Sequence, residues 1–325
     1  GDYRYTVDSS LQLRLSAQAR WHDVRTADTV KHSGYQAQRS HYSFLAAVQK
    51  EVAGRLNLNL LLRADAYDAH WAPLTPYLGF DWKLAPGHDL LLKGNIARNY
   101  HPPSLNDLYW QPGGNPYLKP EQGISYELGL EYQSRKGAHR WGAELTAYRS
   151  LMHNWILWVP SYKGYWEPRN VRRVRSEGFE LHTDIKGAWG QWHYKALASY
   201  SLTSSVNLGD KQTWGDEAYG KQLVYIPLHS GNLMLQLAWR GYSLSWQHNA
   251  YSERYTTSSN DITRRDWLYP YFMNDLSIGK KWETPHVRIQ TEMKVYNLFD
   301  ETYHSVLYRP MPGINCMLWL TLEVF

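Results

Sequence analysis

The chain reads as an all-β protein, an antiparallel transmembrane β-barrel of about 14 strands. Three observations lead there: long stretches of period two, connections that alternate between short and long, and a surplus of amphipathic aromatics. Of the aromatic residues 16 are Trp and 26 are Tyr against only 6 Phe. Trp and Tyr carry an apolar ring with a polar tip and suit a boundary between hydrocarbon and water. Mean hydropathy is low, and no window approaches the roughly 18 consecutive apolar residues of a membrane helix. A barrel needs none, because only every second residue of a strand faces lipid.

The strands follow from alternation. Leu11, Leu13, Leu15, Ala17, Ala19 and Trp21 share one face, with Gln12, Arg14, Ser16, Gln18, Arg20 and His22 on the other. Leu56, Leu58, Leu60, Leu62, Ala64 and Ala66 oppose Asn57, Asn59, Arg63 and Asp65. Trp141, Ala143, Leu145 and Ala147 oppose Gly142, Glu144, Thr146 and Tyr148, and Val287, Ile289 and Val295 oppose Arg288, Gln290, Glu292 and Lys294. In the last strand Cys316, Leu318, Leu320, Leu322 and Val324 are expected to face lipid, with Met317, Trp319, Thr321 and Glu323 inward. Several runs reach about 11–15 residues, where an ordinary sheet strand has about 5–6.

Short connections fall at Ala53-Gly54, Pro86-Gly87, Arg135-Lys136-Gly137, 187–190, Arg240-Gly241 and Glu283-Thr284-Pro285. Long ones are expected near 25–40, 100–121, 152–173, 205–222, 255–266 and 298–314, with room for a further hairpin in 152–173. Short turns on one rim and long loops on the other are the pattern of an outer-membrane barrel, and an even strand count would put both chain ends on the short-turn rim.

Charge and composition remove other classes. The net charge is +5, with Lys and Arg dispersed apart from Arg169, Arg172, Arg173 and Arg175. No groove-reading motif accompanies this charge, so nucleic acid is not an expected partner. The Arg169–Arg175 run reads as a solvated strand start, or as an attractor of an anionic ligand or of lipopolysaccharide phosphates. A single cysteine, Cys316, excludes an internal disulfide and a cysteine metal site. No secretory leader is read in Gly1-Asp2-Tyr3-Arg4, which has no apolar core behind it. Glu180, His182 and Asp184 share a strand face and read as lumen residues; His229, His248 and His286 read as isolated rim or interface positions. No nucleophile elbow, phosphate loop or metal spacing is present, so no catalysis, cofactor or metal is expected.

The segment from Asn99 to Tyr132 carries the most specific wording. A strand ends in Asn95-Ile96-Ala97-Arg98-Asn99-Tyr100. Pro103-Ser104-Leu105-Asn106-Asp107-Leu108-Tyr109-Trp110 follows, then Gly113-Gly114-Asn115-Pro116-Tyr117-Leu118-Lys119-Pro120-Glu121 and Ser125-Tyr126-Glu127-Leu128-Gly129. Near the end, Tyr296-Asn297-Leu298-Phe299-Asp300 precedes Pro312-Gly313 and a last strand that closes on Phe325. In order and distance these elements resemble the TonB-dependent outer-membrane receptors over about the last 230 residues. Motif positions matched are Pro103, Asn106, Asp107, Leu108, Asn115, Pro116, Leu118, Pro120, Glu121, Asn297, Leu298, Phe299 and Phe325. His101 and Pro102 stand where the family has Arg-Ala, and Ile314 where Arg commonly follows Pro-Gly.

The resemblance implies a Gram-negative outer-membrane receptor whose barrel has 22 strands and an N-terminal plug, of which residues 1–325 read as the C-terminal part of the barrel. It implies uptake of a scarce nutrient with energy passed from the TonB complex to a plug outside this chain. The wording is most like cobalamin receptors; haem receptors place a His between the two motif halves, and none lies between Pro103 and Asn115. Implied partners are TonB, outer-membrane lipid and lipopolysaccharide, the remaining barrel and plug, and a surface lipoprotein lid. The alternative is a plug-less, receptor-like barrel serving as a structural subunit. Candidate ligand contacts are Tyr109, Trp110, Asn115 and Tyr117, with Trp158, Tyr165 and Trp166 from an aromatic cluster that also holds Trp155 and Tyr162. That cluster reads either as a stacking platform or as part of the membrane girdle.

Overall fold

In the computed structural model, strands account for nearly all regular structure, as alternation demands. The structure describes residues 1–325 except 29–32, 86–88, 210–216 and 264–266, and except the side chains of Pro160, Val171 and Arg172. The Pro86-Gly87 turn, the Arg172 side chain and parts of the loops expected at 25–40, 205–222 and 255–266 therefore lie outside the described residues.

The strands in chain order are β1 (Asp2–Asp8), β2 (Leu11–Asp28), β3 (Ser33–Val52), β4 (Leu56–Tyr67), β5 (His70–Trp71), β6 (Thr75–Lys83), β7 (Asp89–His101), β8 (Glu121–Lys136), β9 (His139–Pro160) and β10 (Trp166–Trp189). They continue as β11 (Trp192–Asn207), β12 (His229–Trp239), β13 (Tyr242–Tyr251), β14 (Arg254–Tyr255), β15 (Trp267–Leu268), β16 (Tyr271–Glu283), β17 (Val287–Tyr296) and β18 (Asn315–Val324). One short helix, α1 (Leu105–Tyr109), lies in the loop after β7. A single 16-stranded sheet runs from β1 to β18 in chain order, with β5 set beside β4 and β14–β15 forming a separate pair. Neighbours in the wall are antiparallel, as a meander of hairpins requires. Among the described residues β1 pairs only with β2 and β18 only with β17, so the wall is open between them.

Register sorts the side chains. One outward row passes through Leu130, Leu145, Leu181 and Tyr200, each opposite the next on β8 to β11. Another joins Leu235, Trp246, Leu276, Val295 and Cys316 on β12 to β18. Large apolar residues of these rows stay exposed, Leu145 and Leu235 among them. Among the described residues the buried apolar ones are few, such as Leu118, Val174, Leu223 and Leu268. A soluble protein would bury such side chains in a core; an exposed apolar band around a sheet finds its stabilisation in lipid. Trp192, Trp239 and Tyr242 stack near the short-turn rim, where an interfacial aromatic girdle belongs.

The tight turns use the residues their geometry needs. Ala53 and Gly54 both take positive φ (51° and 67°), as do Arg240 and Gly241 (46° and 80°). Two successive positive φ values make the turn whose twist matches antiparallel strands.

Three expectations change. The 25–40 and 152–173 segments are mostly strand: β3 has 20 residues, β9 has 22 and β10 has 24. The hairpin allowed for in 152–173 is the continuation of β9 and β10, joined by residues 161–165. Arg169, Arg173 and Arg175 consequently lie inside β10 and do not start it. The chain ends also differ. Phe325 donates its N–H to His286 O at the short-turn rim, as expected, but Gly1 bonds with Ala17, partway along β2. From there β1 descends to a short turn at Ser9-Ser10, beside the Ala53-Gly54 turn, where Ser10 O accepts Glu51 N.

Candidate ligand-binding loop

The Pro-rich segment 102–120 crosses from the end of β7 to the start of β8 and is anchored at both ends. α1 starts with a capping box. Ser104 Oγ accepts from Asp107 N at 3.0 Å, and Asp107 Oδ2 accepts from Ser104 N at 2.8 Å. A five-residue helix forms here because its orphan N–H groups are met by the residues just before it. The other Asp107 oxygen, Oδ1, accepts Trp158 Nε1–H at 2.8 Å, so one carboxylate ties the loop to β9. Arg39 on β3 donates to Pro103 O at 2.7 Å, and the Tyr35 and Tyr109 ring centroids are 6.3 Å apart.

The second half of the loop rests on the β9–β10 hairpin. Asn170 Oδ1 accepts Lys119 N at 2.8 Å, while its Nδ2 donates to Lys119 O at 3.0 Å and Asn154 O at 2.7 Å. Asn154, at φ 55°, donates to Pro120 O at 3.2 Å. Glu121 accepts Ile156 N at 2.7 Å. A Cβ on Gly113 (φ 122°) would strike the carbonyl oxygen of Trp166, so only glycine permits this close approach.

These bonds assign places to the candidates. Asn115 holds its own turn: Oδ1 accepts Tyr117 N at 3.0 Å and Nδ2 donates to Pro168 O at 3.4 Å. Trp158 is half-buried and engaged by Asp107. Tyr109, Trp110 and Trp166 are partly exposed, and Tyr117 is 89 % exposed. Trp155 and Trp158 sit on β9, Trp166 on β10, and Tyr162 and Tyr165 in the turn between them. Lys163 Nζ lies 5.7 and 5.9 Å from the Tyr162 and Tyr165 ring centroids, and Tyr165 holds its ammonium above the usual lysine range. Gly113 packs on Tyr165 and Trp166, so the loop meets the tip of the β9–β10 hairpin at the long-loop rim. Exposed ring faces of this kind suit a large planar or amphipathic ligand.

Of the motif residues, Leu118 is buried, Pro103 and Pro120 present carbonyls, and Asn106 and Pro116 are exposed. Leu108 N donates to Ser104 O within the helix. Asn297 is 2 % exposed at φ 50°; its side chain accepts Glu301 N at 2.8 Å and donates to Glu301 O at 2.9 Å. Leu298 N donates to Asn274 O at 2.7 Å, and Asp300 Oδ1 accepts Ile314 N at 2.8 Å. The Asn-Leu-Phe-Asp turn thus fastens the last long loop to β16, with Phe299 left exposed. Arg288 sits 5.0 Å over the Phe325 ring.

Sequence reasoning missed the clamps Arg39, Asn154 and Asn170. The signal available was two asparagines in the stretch read as a long loop, since Asn tolerates positive φ and bonds backbone. His101 lies at the top of β7, on the lumen side past the apolar band, with Nδ1 3.3 Å from Glu121 Oε2. Glu121 raises the His101 imidazole above its ordinary value, with Asp107 adding to the effect and Arg39 and burial opposing it. Among the described residues no set of three His, Cys, Asp or Glu is placed to hold a metal ion. His229 is not isolated: its Nδ1 is 2.7 Å from Tyr200 Oη, and His248 Nδ1 is 2.9 Å from Asn274 Oδ1.

Comparison with known proteins agrees with this architecture. Residues 1–298 match the family model "TonB dependent receptor-like, beta-barrel". The chain is 27% identical over 235 residues to the vitamin B12 transporter BtuB of Photobacterium profundum, covering 68% of this chain and 34% of that protein. It is 23% identical over 274 residues to the iron-regulated outer membrane virulence protein of Vibrio cholerae, covering 79% of this chain and 40% of the relative. Among solved structures, the copper transporter OprC superposes with a TM-score of 0.74 at 17% identity, over 98% of this chain and 54% of that one. The ferric enterobactin receptor PfeA of Pseudomonas aeruginosa gives 0.73 at 20% identity, over 100% and 53%. The chain therefore spans about a third to two-fifths of the curated relatives and about half of the solved structures. It belongs to the TonB-dependent receptor β-barrel family, whose barrels lie in the outer membrane of Gram-negative bacteria.

Proposed function

We propose that this wall is part of an outer-membrane active transporter that takes up a corrinoid, with energy delivered through TonB to a plug outside this chain. The observation that carries the reading is the set of exposed rings Tyr109, Trp110, Tyr117 and Trp166 on a loop and a hairpin tip that Asp107, Asn154 and Asn170 tie together. Rings held on a rigid loop bind a large macrocycle at low ordering cost. The BtuB relative supports the corrinoid over other cargo. Haem is disfavoured because no His lies between Pro103 and Asn115, the two halves of the motif. Uptake by such a device involves binding and gated passage, with no bond made or broken.

The test is cyanocobalamin binding to the native-length protein, followed by uptake in cells with and without TonB. Saturable binding and TonB-dependent uptake are expected. Binding of a ferric siderophore or haem with no corrinoid binding would end the corrinoid assignment. Corrinoid binding without uptake would favour the scaffold reading.

A further inference from the structure

At the short-turn end of β8 to β11 the register lines up four cations. Arg135 stands opposite Arg140, Arg140 opposite Lys186, and Lys186 opposite Lys195. The adjacent row of Ser134, Trp141, Ile185, Ala196 and Leu235 lies on the lipid side. Successive residues of a strand point to opposite faces, so the four cations face the lumen. All four are exposed. Like charges set directly opposite one another weaken a strand pair. Arg140 donates to Gln133 Oε1 at 2.7 Å, a neutral partner. Glu131 and Glu144, higher on the same face, pair with Lys93. Asp184 stands one row up, and among the described residues neither it nor any other carboxylate forms an ion pair with the four.

The polar floor continues sideways. Lys195 lies opposite Gln236, and Gln236 opposite Ser245. Nearer the turns, a cavity of about 730 Å³ has His193, Ser243, Lys281 and Gln290 in its lining. The connections beside the row are as short as Gly137-Ala138 and Gly190-Gln191, so the cations lie open to the aqueous side of the mouth. Strands about 4.8 Å apart spread the four over about 14 Å, too long for one phosphate or carboxylate. Residues three or four apart on a helix recur every 4.5–6 Å or so, close to the strand spacing. Same-face residues of an extended chain recur about every 6.7 Å and drift out of step. An α-helix with a stripe of Asp or Glu laid across the strands therefore meets the cations one to one, with complementary charge.

We infer that the row Arg135, Arg140, Lys186 and Lys195 is a docking seat for an acid-striped α-helix of a separate periplasmic protein. Its place at the mouth lets a partner reach it without entering the barrel. The seat does not depend on which cargo is carried.

The test measures fluorescence anisotropy of a labelled, stapled helical peptide with four Glu along one stripe, added to the native-length protein in nanodiscs of neutral lipid. Wild type is compared with Arg140→Gln/Lys186→Gln/Lys195→Gln and with Lys136→Gln, which lies at the same rim on the lipid face. Assembly of each variant is read from heat-modifiable gel mobility. Binding should weaken roughly two- to five-fold for each charge removed and weaken further with added salt, with Lys136→Gln unchanged. If the triple variant does not assemble, Lys186→Gln alone carries the comparison. No binding by wild type, unchanged binding by the assembled variant, or equal binding of a peptide with the same Glu scattered around the helix would overturn the seat. A photo-cross-linker in place of the exposed Gln236 should capture, in cells, an acid-striped helix of another protein. Cross-links only within the receptor's own chain, or none, would overturn the separate partner.

Discussion

Asp107 shows how much one side chain holds. Its carboxylate closes the α1 capping box and receives the Trp158 indole. Asp107→Ala removes both, at roughly 1–3 kcal/mol of local stability. The expected outcome is faster proteolysis within 102–120 and a shift in Trp emission, with barrel assembly unchanged. His101 carries a pH dependence of its own. Its pKa is raised by Glu121, so the stabilisation is fully present below the ordinary imidazole value near 6.5 and is lost as pH rises through the raised value. Protease protection of the loop should therefore be greater at low than at high pH across that window. The dependence should vanish in His101→Gln, and a flat wild-type profile would contradict it. Asp107 was legible in the sequence as a motif residue, but its bond to Trp158 was not, because the two are 51 positions apart.

At the scale of the element, alternation made the strand faces readable because a pleated strand has a strict period of two. Leu181 faces out between Leu145 and Tyr200, while His182 next to it faces the lumen beside Glu144. Leu181→Arg should cost about 2–4 kcal/mol if the site lies near the bilayer midplane, whereas His182→Arg should be near neutral. Folding into liposomes under a urea gradient would measure both, and equal effects would refute the assigned faces. Strand ends were less legible. β9 and β10 run well past the membrane because Trp155 to Pro160 and Trp166 to Arg173 keep pairing once outside it. Aromatic and arginine residues there suited a loop as well as a strand, and only the partner strand decided the matter. The same extension set Arg169, Arg173 and Arg175, expected at a strand start, inside β10.

For the whole molecule, the open seam is the principal feature. Among the described residues β1 and β18 each have one edge without a partner strand, and exposed edges of lipid-embedded strands leave backbone groups without partners, which hydrocarbon does not tolerate. We propose that further barrel strands cover both edges in the native-length protein. Hydrogen exchange should then find the amides of Asp2–Asp8 and Asn315–Val324 protected on their outward edges as well as on those facing β2 and β17. Rapid exchange at those edge amides in the membrane-embedded protein would refute the proposal.

By itself the sequence determined the fold class, the two faces of each strand, the sides carrying short turns and long loops, and the family. Each of these depends on local periodicity or on contiguous wording such as Gly113 to Glu121 and Asn297 to Asp300. Only the tertiary structure decided which motif residues brace the loop and which face outward. Asn115, Asp107 and Glu121 looked like ligand contacts or motif marks, and their polar atoms are committed to partners on β7, on β9, on β10 or across their own turn. The cationic row of Arg135, Arg140, Lys186 and Lys195 likewise has no signature along the chain. It exists because register brings residues from four strands onto one lumen-facing surface.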